Sequence, residues 1–252
     1  MTKRWVAALA LAAGLCWCTG ALAETPKTAR VWTYGNLVTM FSPEWGLFVM
    51  PGMRYELSRS EGPEKRHYFD ELFVGPLYVR KLGAATLKVG LWYYFMGYPI
   101  RAKDDYQWSH NVELVPQIDY RWKDFVFTNR VILHNTFYAS VYKPPSQKLG
   151  FGMVLREMVQ ATWWATKDVG ILAADEPFIG IAEDSAAPDS AIGYWPRGLR
   201  LNRIYGGVSW KIDPSLTLTP QYIYETSYDT RGRVQEVGHY LFTTLSWVVR
   251  TY

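Results

Sequence analysis

Ser109, His110 and Asn111 follow one another in the chain, and further histidines stand at 67, 134 and 239. A serine beside an imidazole is the starting point of acyl transfer, in which the ring takes the hydroxyl proton as the oxygen attacks a carbonyl. Lipid hydrolases of membranes use such a pair. Here the spacing is unfavourable. Neighbours in an extended strand face opposite ways, so Ser109 and His110 diverge. His67, His134 and His239 have no serine at a suggestive spacing. His110 reads instead as a rim residue and His134 as an interior hydrogen-bonder. No His or Cys pair has metal-ligand spacing. The acidic run with Glu183, Asp184 and Asp189 lacks the ordered ligand pattern of a calcium loop. No catalytic residue, cofactor or metal is assigned, and the protein is not expected to be an enzyme.

The more telling polar residues are Arg54, Glu56, Glu113, Gln117, Asp119, Arg130, Arg156, Gln160, Arg203 and Glu225. They alternate with apolar neighbours. In "HNVELVPQIDYRW" (110–122), Val112, Leu114, Pro116, Ile118, Tyr120 and Trp122 form one face, and Asn111, Glu113, Val115, Gln117, Asp119 and Arg121 the other. A period of two is the mark of a β-strand. Soluble strands usually run about 3–10 residues. This pattern runs unbroken from Tyr106 to Trp122. Such length suits a tilted strand that crosses a membrane, with polar residues turned to the lumen of a closed cylinder. The ten residues are the expected lumen lining. Both signs are present, so they can neutralise one another, and little ion selectivity is expected.

The elements that position them follow from the turn formers. "KLGAAT", "RWKDF", "TKDVG" and "KIDPSL" read as tight hairpins, and they alternate with longer polar connections such as "SRSEGPEKR" and "YDTRGRVQE". Strands are expected near 45–58, 66–82, 84–99, 105–121, 123–139, 150–165, 168–182, 199–211, 215–228 and 237–251. The expected fold is all-β: a transmembrane antiparallel up-and-down β-barrel of about ten strands, with twelve as second choice. Both barrel ends would lie at the short-turn, periplasmic side. In "ILAADEPFIGI", Asp175, Glu176 and Pro177 suggest a bulge or inward turn. Arg156 and Glu157 are neighbours, so one must leave the polar face.

The start, "MTKRWVAALALAAGLCWCTGALA", has two basic residues, an apolar run and a small-x-small ending, and reads as a cleaved signal over 1–23. Residues 24–44 are left as an N-terminal periplasmic segment or extra strand, and 45–252 as the barrel. Cys16 and Cys18 depart with the signal, which removes thiol and disulfide chemistry. Loss of Lys3 and Arg4 takes the net charge from +4 to +2, which offers no case for nucleic acid.

Aromatic residues make up 16% of the chain. Trp45, Trp122, Trp163, Trp164, Trp210 and Trp247 fall near short-turn ends. Tyr98, Tyr106, Tyr138, Tyr142, Tyr228 and Tyr240 fall near long-loop ends. Two interfacial girdles are expected. The last strand, "HYLFTTLSWVVRTY", resembles the C-terminal strand that bacterial barrels present to their insertion machinery, with Leu241, Leu245, Trp247 and Val249 as its oily row.

"FTNRVILHNTFY", "ADEPFIGI", "LNRIYGGVSWKIDPSLTLTPQYIYE" and "GHYLFTTLSW" resemble an uncharacterised family of bacterial outer-membrane barrels, classed as a domain of unknown function, over roughly 85–250. The features that carry the resemblance are Asn202, Arg203, Gly207 and Trp210, preceded by Glu176 and Phe178 and followed by His239. The resemblance implies a fold and a location but no activity. The reading is an outer-membrane protein of a Gram-negative bacterium, in contact with lipid and lipopolysaccharide. It is either a passive porin-like pore for small solutes or a filled barrel displaying loops. The alternatives are a lipid-modifying hydrolase and a soluble periplasmic lipocalin-like binder.

Overall fold

Alternation along 106–122 resolves into two environments. Leu114 and Ile118 are 40% and 43% exposed, whereas Asn111 and Glu113 are completely buried. The computed structural model describes residues 25–62, 64–100, 105–140, 147–183 and 195–252. Its elements are β1 (Lys27–Met40), β2 (Trp45–Arg59), β3 (His67–Leu82), β4 (Ala85–Ile100), β5 (Asp105–Trp122), β6 (Phe125–Ser140), β7 (Gln147–Trp164), β8 (Val169–Glu183), β9 (Gly198–Lys211), β10 (Leu216–Tyr228) and β11 (Val234–Arg250). Each strand pairs with its neighbours in sequence, and β1 meets β11 to close the barrel. There is no helix among the described residues.

The strand count of eleven lies between the ten and twelve expected. The extra strand is β1. Its inward face carries Arg30, Trp32 and Tyr34, residues with both polar and apolar character, and its outward face includes Thr33, Gly35 and Thr39. The polar–apolar contrast that marks the other strands is therefore blurred. A single strand placed before β2 must run opposite to it. Its first residues consequently lie at the long-loop end, and the barrel does not begin and end at the short-turn side as ten strands would require. With an odd number of strands, first and last run the same way. Thus β1 and β11 pair in parallel, from Lys27↔Val237 to Met40↔Arg250. The slanted ladder of a parallel pair still satisfies the backbone groups and leaves no edge.

Tight turns close one end. Gly83 and Lys123 each open a two-residue turn with positive φ, at 63° and 54°. The short hairpin turns that match strand twist require this. Every register shift lies towards the other end, for example at Ala29/Arg30, Arg54/Tyr55 and Phe178/Ile179. Bulges of this kind add local twist near barrel rims. None occurs at Asp175–Pro177, which corrects the sequence expectation. The β7–β8 register is continuous through Val159↔Asp175 and Arg156↔Phe178. Glu176 simply points inward and Asp175 outward, where it accepts a hydrogen bond from the Asn202 amide at 2.9 Å. Likewise Arg156 faces in, and Glu157 faces out against the Asn129 amide at 2.9 Å.

Trp45, Trp122, Trp210 and Trp247 stand exposed near the short-turn end. The tyrosine girdle is thinner than expected. Tyr240 is buried inside the barrel and Tyr98 packs inward against Phe69. Their strand parity, which the mixed character of tyrosine conceals, decides this. The side chains of Tyr138 and Tyr142, like residues 1–23, lie outside the described residues.

Candidate functional site

Cross-strand register gathers side chains that are far apart in sequence into one inward row. Lys88 faces Gln117, Gln117 faces Arg130, and Arg130 faces Met158. Glu176 faces Arg203, which faces Glu225. The unbroken β7–β8 register carries the row from Met158 to Glu176. Because barrel strands tilt against the axis, such a row climbs as it passes around the wall. It starts near the short turn before β4 and ends near the long loop after β10.

The upper part of this row belongs to a plate across the lumen. Six side chains alternate there: Phe69, Arg54, Trp32, Arg203, Phe178 and Arg156. The Arg54 guanidinium lies 4.2 Å from the Phe69 ring centre and 3.8 Å from that of Trp32. Arg203 lies 4.8 Å from Trp32 and 4.5 Å from Phe178, and Arg156 lies 4.4 Å from Phe178. Flat guanidinium groups suit this stacking, each contact contributing about 0.5–2 kcal/mol. Away from water the charges also need carboxylates. Arg54 pairs with Glu71 at 3.0 Å, Arg203 with Glu225 at 2.7 Å, and Arg156 with Glu176 at 3.0 Å.

Phenol and indole donors complete the carboxylates. Glu71 accepts from Trp32 Nε1 at 3.0 Å, the Tyr34 hydroxyl at 2.8 Å and the Tyr94 hydroxyl at 2.5 Å. Glu176 accepts from the Tyr205 hydroxyl, and Glu225 from the Tyr240 hydroxyl at 2.8 Å. Tyr34 reaches its place by lying across Gly52, where a Cβ would come within 2.1 Å of the ring. Towards the long loops Arg30 joins Glu56 at 3.1 Å and Glu236 at 2.5 Å. The Lys65 backbone N–H then donates to Glu56 at 2.9 Å, tying the β2–β3 loop to the network. In the β10–β11 loop, backbone and side-chain donation from Arg233 holds the Asp229 carboxyl below its ordinary range.

Below the plate a cavity of about 840 Å³ opens towards the short turns, with Trp32, Tyr34, Arg130 and Arg156 at its inner end and Lys81 and Arg250 at its rim. A smaller cavity of about 70 Å³ lies on the long-loop side and touches Trp32, Tyr34 and Arg156 from above. These side chains border both spaces.

All ten polar residues singled out from the sequence have their side chains inside. Arg54, Arg156, Arg203 and Glu225 lie in the plate, and Glu56 lies in the Arg30 network. Glu113 pairs with His134 at 2.9 Å. Arg130 reaches Glu176 at 3.2 Å. Asp119 binds Lys88 at 2.8 Å and accepts from Gln117 at 2.9 Å. Gln160 donates to Thr162 at 3.0 Å. Sequence reasoning missed Arg30, Trp32, Tyr34, Glu71, Tyr94, Tyr205 and Tyr240. For β1 a signal existed, since Arg30, Trp32 and Tyr34 share one parity.

Ser109 and His110 diverge as their strand geometry demands. Ser109 is buried beside Asn111, whereas His110 points outward and pairs with the Tyr93 hydroxyl at 2.5 Å. Thr136, His134 and Glu113 do fall in hydroxyl–imidazole–carboxylate order, at 3.1 and 2.9 Å. The Thr136 hydroxyl is fully buried and gives its proton to Asn111 Oδ1 at 2.6 Å, so it faces no open space. No cluster of three potential metal ligands occurs among the described residues. The side chains of Glu183, Asp184 and Asp189 lie outside them.

Fold and site together define a closed β-barrel with apolar residues outside and an ion-paired, aromatic partition inside. The chain belongs to the family described as "Protein of unknown function (DUF2490)", whose model matches residues 29–236. Among the residues that carried the family resemblance, Glu176, Phe178 and Arg203 are part of the partition, while Asn202 and Trp210 face outward. A solved structure titled "NanC porin structure in rhombohedral crystal form" is 12% identical over 82% of this chain and 92% of that one, with a TM-score of 0.48. No curated protein matches the chain in sequence.

Proposed function

We propose that the protein is an outer-membrane β-barrel with a closed lumen: a filled barrel that presents loops at one end and a blind cavity at the other. The outward residues support the membrane setting. Leu47, Leu91, Leu114, Val159, Ile171 and Leu241 are all exposed, spread around the wall. In water this belt would be an unshielded apolar surface far larger than soluble monomers carry. Against lipid and lipopolysaccharide it is solvated. The long loops would then face the cell exterior and the short turns the periplasm.

Two results are expected. Unboiled protein in detergent migrates differently from boiled protein on a gel, because the closed barrel resists unfolding; identical migration would count against a barrel. Leu114→Arg, near the middle of β5, destabilises the protein by about 2–4 kcal/mol in lipid vesicles. A neutral outcome would remove Leu114 from the lipid face.

The observation that carries the closed-lumen reading is the arginine–aromatic stack, which spans from Phe69 on β3 to Arg156 on β7 by way of β1. A general diffusion pore keeps a continuous water path, and stacked rings with paired charges oppose one at that level. The test is reconstitution in a planar bilayer. The wild-type protein is expected to insert without discrete conductance steps. Reproducible steps would replace the filled barrel by the solute-channel reading.

A further inference from the structure

The cavity below the partition has an uneven charge. Arg80, Lys81, Lys88, Arg130, Arg156 and Arg250 line it, against Glu44 and Glu113. Some of this is compensated from the walls. Lys88 has Asp119, and Arg156 has Glu176 with Glu113. Arg80, Lys81 and Arg250 at the rim have no carboxylate within 4.0 Å among the described residues, and Glu44 is the one acidic side chain of the lining at that end. A cationic surplus remains, enclosed by low-dielectric walls that focus its field.

Deeper in, hydrogen-bonding capacity is left over. Arg130 uses Nη2 for both its contacts, with Glu176 at 3.2 Å and Met158 Sδ at 3.3 Å. Its Nε has no partner, nor do Arg156 Nε, Trp92 Nε1, Asn36 Oδ1 and Glu113 Oε2. Buried polar atoms are ordinarily satisfied, and these five belong to residues that line the one cavity. Three of them are N–H donors, but all five atoms are themselves buried, so contact with a ligand falls to the accessible part of Arg130. The Arg130 side chain is 27% exposed, the most accessible of the inner arginines. Elsewhere in the same lining the wall is apolar: Phe48 and Trp92 stack at 4.1 Å, with Phe73 edge-on to Trp92. The volume, about 840 Å³, is that of a site for a compact organic molecule.

We propose that this cavity binds a small organic anion with a flat apolar body, entering from the short-turn end. The anionic head is seated by the Arg130 guanidinium, the rim cations draw it in, and the ring lies against the Phe48–Trp92 wall. Arg130 therefore has two duties. It neutralises Glu176 through Nη2 and presents the accessible part of its side chain to the ligand. Access from one side alone rests on the closed lumen; the binding itself does not.

The experiment is calorimetric titration of the full-length protein in neutral detergent with naphthalene-2-sulfonate, and in parallel with the uncharged naphthalene-2-sulfonamide. The anion is expected to bind saturably, at least about tenfold more tightly than the amide. Arg130→Gln is expected to weaken the anion by about tenfold or more while leaving the amide unchanged. Should that variant fail the boiled-versus-unboiled gel check, the rim variant Arg80→Gln/Lys81→Gln decides. It alters only exposed side chains and is expected to lower anion affinity by at least about threefold. Equal binding of the two probes, no saturable binding, or unaltered affinity in the decisive variant would each overturn the proposal. Conductance by the wild type would refute the closed lumen and leave the binding result standing.

Discussion

Replacing Trp32 by alanine is expected to turn a silent barrel into a conducting one. Trp32 stands at the middle of the stack and receives guanidinium groups on its ring from both Arg54 and Arg203. Both cavities, the larger of about 840 Å³ and the smaller of about 70 Å³, touch this one indole. Its removal joins them. The smaller cavity already reaches Tyr98 and Trp195 towards the long loops, so the joined space runs through the level of the partition. Water entering there would also hydrate Arg54, Arg203 and Glu71, which lose the ring that kept them dry. A Trp→Ala change in a packed core costs about 3–5 kcal/mol. The backbone ladder still closes the barrel, so the variant is expected to keep its heat-dependent gel shift while showing discrete steps in a planar bilayer. A folded but silent Trp32→Ala protein would mean that closure resides elsewhere. Leu114→Ala, on the outer wall, serves as the control and is expected to stay silent.

Glu71→Ala is expected to be among the most destabilising single changes in the protein, by about 3–5 kcal/mol. Its carboxylate is buried and accepts from four side chains: Trp32, Tyr34, Arg54 and Tyr94. Without it, the Arg54 charge stays between two rings with no counter-ion, and two phenols and an indole lose their acceptor. An unpaired charge in a dry interior is far costlier than the absence of both partners. The double variant Glu71→Leu/Arg54→Met is therefore expected to recover much of the loss. Equilibrium urea unfolding in lipid vesicles measures both. If Glu71→Ala unfolds within about 1 kcal/mol of wild type, the network is wetter than its geometry implies and the partition is not a dry seal.

Both expectations concern residues that a sequence reading passes over, for a definable reason. Strands such as β5 declare themselves because Glu113 and Gln117 alternate with Leu114 and Ile118 over an unusually long stretch. Glu71 lies in "FDELFVGPLY", where Asp70 beside it supplies the same charge to the opposite parity. Charge alone cannot then say which of the two turns inward. Trp32 and Tyr240 are amphipathic, equally at home in an interfacial girdle or a polar interior. Tyr240 was expected in the girdle and instead donates to Glu225 inside.

The sequence by itself determined the all-β class, the position of the tight turns, the outward apolar belt and the inward direction of ten polar side chains. Those follow from a period of two and from turn chemistry, which are local. Only the tertiary structure decided that β1 closes the barrel in parallel with β11. Only it placed Arg130, Glu176, Arg203 and Glu225 on one climbing row, and six arginine and aromatic residues from β1, β2, β3, β7, β8 and β9 in one stack. These depend on register and tilt between strands remote in sequence, and the same alternation is compatible with many registers. The sequence could say that charges fill the interior; closure of the cylinder decides where they meet, and so whether the interior is a passage or a wall.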